Sequence, residues 1–92
     1  MTVSAGYITV TTSATLLCNG QYGTKDNPAT ILIKNISDTT VYLGGASVSD
    51  YTNGYPLSSG EVISIDLIKE NLYGVAAADK VIQFLHAGVG QL

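Results

Sequence analysis

His86 is the one histidine of the chain and Cys18 its one cysteine. These are the side chains best suited to proton transfer or nucleophilic attack near neutral pH. A general base needs a nucleophile or an orienting carboxylate within hydrogen-bond reach. No Gly-x-Ser-x-Gly or Ser-x-x-Lys pattern supplies one. His86, which shares a strand face with Ile82 and Phe84, is therefore expected to be a partly buried or interface residue. Cys18 has no second cysteine with which to form a disulfide, a zinc site or a redox pair. Following Leu16-Leu17, it reads as a small, partly buried apolar residue. The carboxylates Asp26, Asp38, Asp50, Glu61, Asp66, Glu70 and Asp79 are scattered and match no calcium-loop spacing. Asp38, Glu70 and Asp79 fall at turn signals, where a solvated carboxylate is the ordinary role. Gly44-Gly45 lacks the Lys-Ser or Lys-Thr of a phosphate loop and is expected to end a strand. Asn35-Ile36-Ser37 matches a glycosylation acceptor, taken here as a chance match because no secretory signal is visible. The expectation is a protein without catalytic residues, metal or cofactor.

The composition limits the partners. The chain has 92 residues, 46% of them apolar and 12% charged, with four lysines, no arginine and a net charge of −3. A nucleic-acid binder needs several cations to displace counterions from phosphate, and an anionic membrane surface needs the same. Neither partner is expected. No apolar run approaches the roughly 18 residues needed to span a bilayer. Met1-Thr2-Val3-Ser4 has no basic region of the signal-peptide type, so a chain made and folded in cytoplasm is expected. Disorder is opposed by the apolar content. One domain over residues 1–92 is expected, with 1–12 as an edge strand or a partner-binding arm.

The elements that must position these residues are strands. Thr, Tyr, Val and Ile suit a pleated surface, and Gly, Ser, Asn and Asp suit the turns between. Gly6–Thr11 alternates, with Tyr7, Thr9 and Thr11 opposite Ile8 and Val10. Ala14–Cys18 is a shorter run. Asn19–Ala29 is the longest polar loop and the one expected to be least rigid. Thr30–Ile36 and Thr39–Gly44 read as a central hairpin across Ser37-Asp38, buried on both faces for part of its length. After a second long connection, Val62–Ile68 puts Ile63, Ile65 and Leu67 on one side and Ser64 and Asp66 on the other. Leu72–Ala77 and Val81–Ala87 read as a last hairpin, although Val75–Leu85 also fits a helical stripe. Tyr73, Val75, Val81, Ile82 and Phe84 favour the strand reading, and Gly74 weakens the helix. The fold expected is all-β: an antiparallel sandwich or small barrel of six to eight strands.

Tyrosine is the feature that points outward. Tyr51 and Tyr55 flank the Asn53-Gly54 turn and are followed by Pro56 and Leu57, and Tyr22 lies in the polar loop. A tyrosine offers a large apolar face with a polar tip, which suits protein interfaces. Two readings stand level: an adhesive loop, or a loop folded back with tyrosines as lids. On the first, Tyr22, Tyr51, Tyr55, Pro56 and Leu57 are the expected contact residues.

Four segments carry a resemblance. Val41-Tyr42-Leu43-Gly44-Gly45, Gly54-Tyr55-Pro56-Leu57-Ser58-Ser59-Gly60-Glu61, Ile63-Ser64-Ile65-Asp66-Leu67 and Leu72-Tyr73-Gly74-Val75-Ala76-Ala77 resemble small structural proteins of tailed bacteriophages. The match spans about Ile31–Leu85 and holds no catalytic signature. The resemblance implies a virion component that decorates the head and bridges subunits of the major capsid protein. It also implies copies clustered on the capsid surface, as trimers. Three rivals remain: a tail or fibre module binding a host glycan or another virion protein, a small hydrolase, and an assembly factor absent from the finished particle.

Overall fold

Period-2 alternation of apolar residues builds eight strands, because a half-buried sheet buries every second side chain. The computed structural model describes residues 2–49 and 52–88. Its strands are β1 (Thr2–Val10), β2 (Thr15–Cys18), β3 (Ala29–Lys34), β4 (Val41–Gly44), β5 (Tyr55–Leu57), β6 (Val62–Leu67), β7 (Leu72–Val75) and β8 (Lys80–Gly88). They form two four-stranded sheets, ordered β1-β8-β3-β6 in the first and β2-β7-β4-β5 in the second. Val75–Leu85 is strand and turn, not helix.

The pairings are nested. β1 pairs with β8, β2 with β7, β3 with β6 and β4 with β5, all antiparallel. The chain is thus one long hairpin, folded back between β4 and β5 and rolled so that alternate strand pairs fall in opposite sheets. The two hairpins expected from chain proximity do not form. β3 and β4 lie in different sheets, as do β7 and β8. Their connections cross the sandwich instead of turning back in one sheet. β3 also buries one face only, with Ile31 and Ile33 inside and Leu32 and Lys34 outside. The two-face burial expected of this segment is corrected accordingly.

The inner faces meet in one core that includes Val10, Leu17, Ile31, Ile33, Val41, Leu43, Leu57, Leu67 and Ile82. Each such side chain contributes about 1.5–3 kcal/mol relative to exposure. The rolled hairpin also sorts its loops. The β1–β2, β3–β4, β5–β6 and β7–β8 connections gather at one end, and the β2–β3, β4–β5 and β6–β7 connections at the other.

The polar loop between β2 and β3 is tied down at two glycines. Gly23 N donates to the Gly20 carbonyl at 3.0 Å, and Lys69 N donates to the Gly23 carbonyl at 3.1 Å. Gly20 and Gly23 are buried so tightly that an added Cβ would collide with the carbonyl oxygens of Glu70 and Leu67 respectively. Only glycine permits this approach of two backbones. Across the loop, Lys69 takes a left-handed conformation with φ 55°.

Candidate functional site

The two side chains best equipped for chemistry are part of the core. Cys18 is fully buried, and burial raises its thiol pKa, which disfavours the nucleophilic thiolate. His86 is 1% exposed. It lies on the inner side of β8 with its ring centroid 4.3 Å from that of Phe84. Its Nε2 donates to the Leu17 carbonyl at 3.1 Å. The geometry explains the bond: β2 has a bulge between Leu16 and Cys18, which pair with Tyr73 and Leu72, so Leu17 has no residue opposite it. A carbonyl taken out of the ladder inside a core needs a donor, and His86 reaches across from the other sheet. Burial lowers the His86 pKa, and the bond to Leu17 partly offsets the shift. Both residues are more deeply buried than the sequence suggested, and nothing in this arrangement gives the imidazole access to a substrate.

Asn35 is a polar residue whose structural role sequence reasoning missed. It is fully buried. Its Nδ2 donates to the carbonyls of Thr39 and Leu57, each at 2.8 Å. Its Oδ1 accepts from Ser37 N at 3.0 Å and from Ser37 Oγ at 2.6 Å. Its own N–H donates to the Glu61 carbonyl at 3.0 Å, and its carbonyl accepts from Gly60 N at 2.7 Å. One side chain therefore ties the β3–β4 turn to the β5–β6 turn. An Nδ2 committed to two buried carbonyls is not an acceptor for a glycan. The clue in the sequence was an asparagine placed directly after an apolar strand and two residues before a serine, the spacing of a side-chain turn.

Two carboxylates, Asp38 and Glu61, serve surface turns. Asp38 pairs with Lys80 at 2.9 Å. The hydrogen bond and charge of Lys80 hold the Asp38 pKa below its ordinary value. Glu61 Oε1 accepts from Ser58 N at 2.6 Å and closes the turn that contains Gly60, whose φ is 84°. Among the described residues, no group of three or more His, Cys, Asp or Glu is arranged to hold a metal ion. Among the same residues, no helix is long and apolar enough to cross a membrane. An open cleft of about 440 Å³ lies at the end holding the β2–β3, β4–β5 and β6–β7 loops, with Lys69, Glu70 and Tyr73 in its walls.

The expected contact residues separate. Tyr22 and Tyr55 are exposed, at 70% and 61%. Pro56 is exposed on β5, opposite Tyr42. Leu57 is 2% exposed and belongs to the core beside Val41, which withdraws it from the contact set. Tyr51 lies outside the described residues.

Two larger features stand out. One is β1, nine residues without a charge or a proline at the end of the first sheet, within the 1–12 segment expected as an edge strand or partner-binding arm. The other is the outer face of that sheet, which was not singled out from the sequence. Of the ten large apolar or tyrosine side chains that are exposed among the described residues, six stand on this face: Val3, Tyr7, Leu32, Val62, Val81 and Leu85. The signal was present, since Val3, Ala5 and Tyr7 and then Val81 and Leu85 occupy the outward phase of their strands.

Eight antiparallel strands with 1-8-3-6 and 2-7-4-5 order define a jelly roll, or double-stranded β-helix. The comparisons agree on the fold. The chain is similar to one from the structure of Bacillus endospore appendages, described as a novel family of disulfide-linked pili. That likeness has a TM-score of 0.59 and 12% identity, over 96% of this chain and 86% of the other. It is also similar to a de novo designed double-stranded β-helix solved by NMR, with a TM-score of 0.52 and 10% identity, over 97% of this chain and 100% of the other. No family model matches the chain. No curated protein matches it.

Proposed function

We propose that this chain is a non-enzymatic structural protein that acts by docking on other protein subunits. The observation that carries the reading is β1, an uncharged nine-residue strand at an open sheet edge. Soluble proteins commonly guard such edges with charge, proline or a bulge, because unpaired N–H and C=O groups recruit another strand. The other edges are better guarded: β6 carries Asp66, β5 is three residues long and contains Pro56, and β2 is short and bulged. Strand addition at β1 would give backbone hydrogen bonds with little demand on side-chain identity. The Bacillus appendages, whose fold is similar, form pili, which supports an assembly role for this architecture.

The finer reading rests on the sequence resemblance to phage proteins. It places the chain on the capsid surface of a virion, made in the host cytoplasm, bridging subunits of the major capsid protein, with neighbouring copies clustered. Many weak contacts suffice there, because neighbouring copies raise the effective concentration of each. Nucleic acid and membrane are not among the partners proposed.

The test is to purify intact particles from the source that carries the chain, then to identify it by mass spectrometry and locate it in a density map. A 9.6 kDa β-domain at regular positions, with β1 paired to a strand of another subunit, is the expected result. Absence from every assembled particle would overturn the proposal. Thr9→Lys, which puts a charge on the edge strand, should reduce incorporation several-fold at unchanged thermal stability.

A further inference from the structure

We propose that the outer face of the first sheet is the interface of a two-fold dimer, with a second copy of this chain as its occupant. The outward positions of the four strands are Val3, Ala5, Tyr7 and Thr9 on β1, Val81, Gln83, Leu85 and Ala87 on β8, Thr30, Leu32 and Lys34 on β3, and Val62, Ser64 and Asp66 on β6. Leu85 and Leu32 are register partners on the two central strands. They form the apolar middle of the face, beside a shallow hollow of about 210 Å³ bounded by Ala5, Leu32, Val62 and Leu85. Isolated exposed apolar residues are ordinary, but a contiguous patch across four strands marks a contact surface.

Charge selects the occupant. The face carries one cation, Lys34, and one anion, Asp66, so its net charge is zero in a chain of net charge −3. The acidic excess therefore lies elsewhere on the molecule. Two copies meeting through this face bring together no net charge, so no electrostatic repulsion between the faces opposes the pairing. Asp66 also accepts a hydrogen bond from Thr30 Oγ1 at 2.7 Å, which satisfies it in place.

Size and symmetry agree. Four strands about 4.8 Å apart and about 20–30 Å long make a face of about 500 Å². Two such faces bury about 1,000 Å², the lower bound for a specific interface. A two-fold axis parallel to the strands sets β8 of one copy over β3 of the other. Leu85 then meets the second copy's Leu32, Gln83 meets Lys34, and Tyr7 meets Val62, with Asp66 at the wetted rim. Each contact occurs twice, as an isologous interface requires. Sheets stacked in this way pack about 10 Å apart with strands about 30° from parallel.

The dimer goes beyond the assembly reading, and its test uses the purified full-length chain with no particle present. Failure here leaves the particle experiment undecided on its own terms. Sedimentation velocity from micromolar to millimolar concentration should show a monomer–dimer equilibrium. The double substitution Leu32→Lys with Leu85→Lys puts cations at outward positions in mid-sheet, away from either edge. It should raise the dissociation constant at least tenfold while the isolated monomer keeps a cooperative unfolding transition. A second measurement covers the case in which that variant misfolds. On dilution of the unaltered protein, methyl signals of Leu32, Val62, Val81 and Leu85 should shift while those of Ile31 and Ile33 hold. A chain monomeric at millimolar concentration, a trimer or larger species, a double variant that dimerises normally, or shifts confined to other surfaces would each overturn the proposal.

Discussion

The two sheets have the same strand number and opposite outer surfaces. On the second sheet, Gly74 faces Leu17 and Leu43 of the core. Its neighbour Val75 therefore points outward, yet it is 1% exposed. Val48, from the connection after β4, is also buried and packs against Gly44 at the end of that strand. The chain thus covers part of this surface with its own loop. On the first sheet, the outward Val81 is 40% exposed and Leu85 39%, and no segment of the described residues lies over them. The difference teaches that outward apolar residues are not one category. Where the chain closes over them they contribute to stability, and where it does not they are available to a partner.

That contrast can be broken by substitution. The largest effect is expected at Asn35, in the part of the molecule that satisfies itself. Asn35→Ala removes the Nδ2 donor from the buried Leu57 carbonyl and leaves the Thr39 carbonyl with Ser37 Oγ alone; it should cost about 2–3 kcal/mol, read as a lower midpoint in urea unfolding. An unchanged midpoint would show that water replaces the side chain. Next comes a matched pair. Val75→Ala should cost about 2 kcal/mol because the valine is buried. Val81→Ala, an outward valine of the other sheet, should cost about 0.5 kcal/mol or less when measured on the monomer. Equal costs would erase the distinction between the two surfaces.

A smaller, pH-dependent effect belongs to His86. Its folded pKa lies below the ordinary value of 6.5 because burial disfavours the imidazolium. Above that value the ring is neutral in both folded and unfolded chains, and stability is fully present. As pH falls from 6.5 toward the lower folded pKa, the unfolded chain takes up a proton that the folded one refuses, and stability declines. Urea midpoints at pH 7.5 and pH 5 should show this decline, and His86→Gln should flatten it. Smallest of all is Lys69→Gly, which relieves a left-handed backbone at φ 55° and should stabilise by about 0.5 kcal/mol, visible as a slight rise in thermal midpoint.

The strands themselves were legible. Alternation in Val62–Ile68 gave β6 within a residue and assigned Ile63, Ile65 and Leu67 inward correctly. Partners were not legible, because periodicity reports a strand and its faces but not which strand lies beside it. The connections at 35–40 and 76–79 are short enough for hairpins, and they cross between sheets. Leu57 shows the same limit on a smaller scale. Its neighbours Tyr55 and Pro56 are exposed, and only the pairing with Val41 reveals that it is inside. Asn35 and His86 were hidden for a different reason. Each satisfies backbone groups distant in sequence, at Leu57 and Leu17, and no local pattern announces such a bond.

Nested pairing also sets the order of events during synthesis. β8 is an interior strand of the first sheet, with β1 on one side and β3 on the other. Until residues 80–88 have left the ribosome, β1, made well before them, lacks its strand partner in this sheet. An uncharged edge segment must therefore wait while about 70 intervening residues are made. Closing the longest loop is entropically the slowest step, so completion of the native sheet waits on β8.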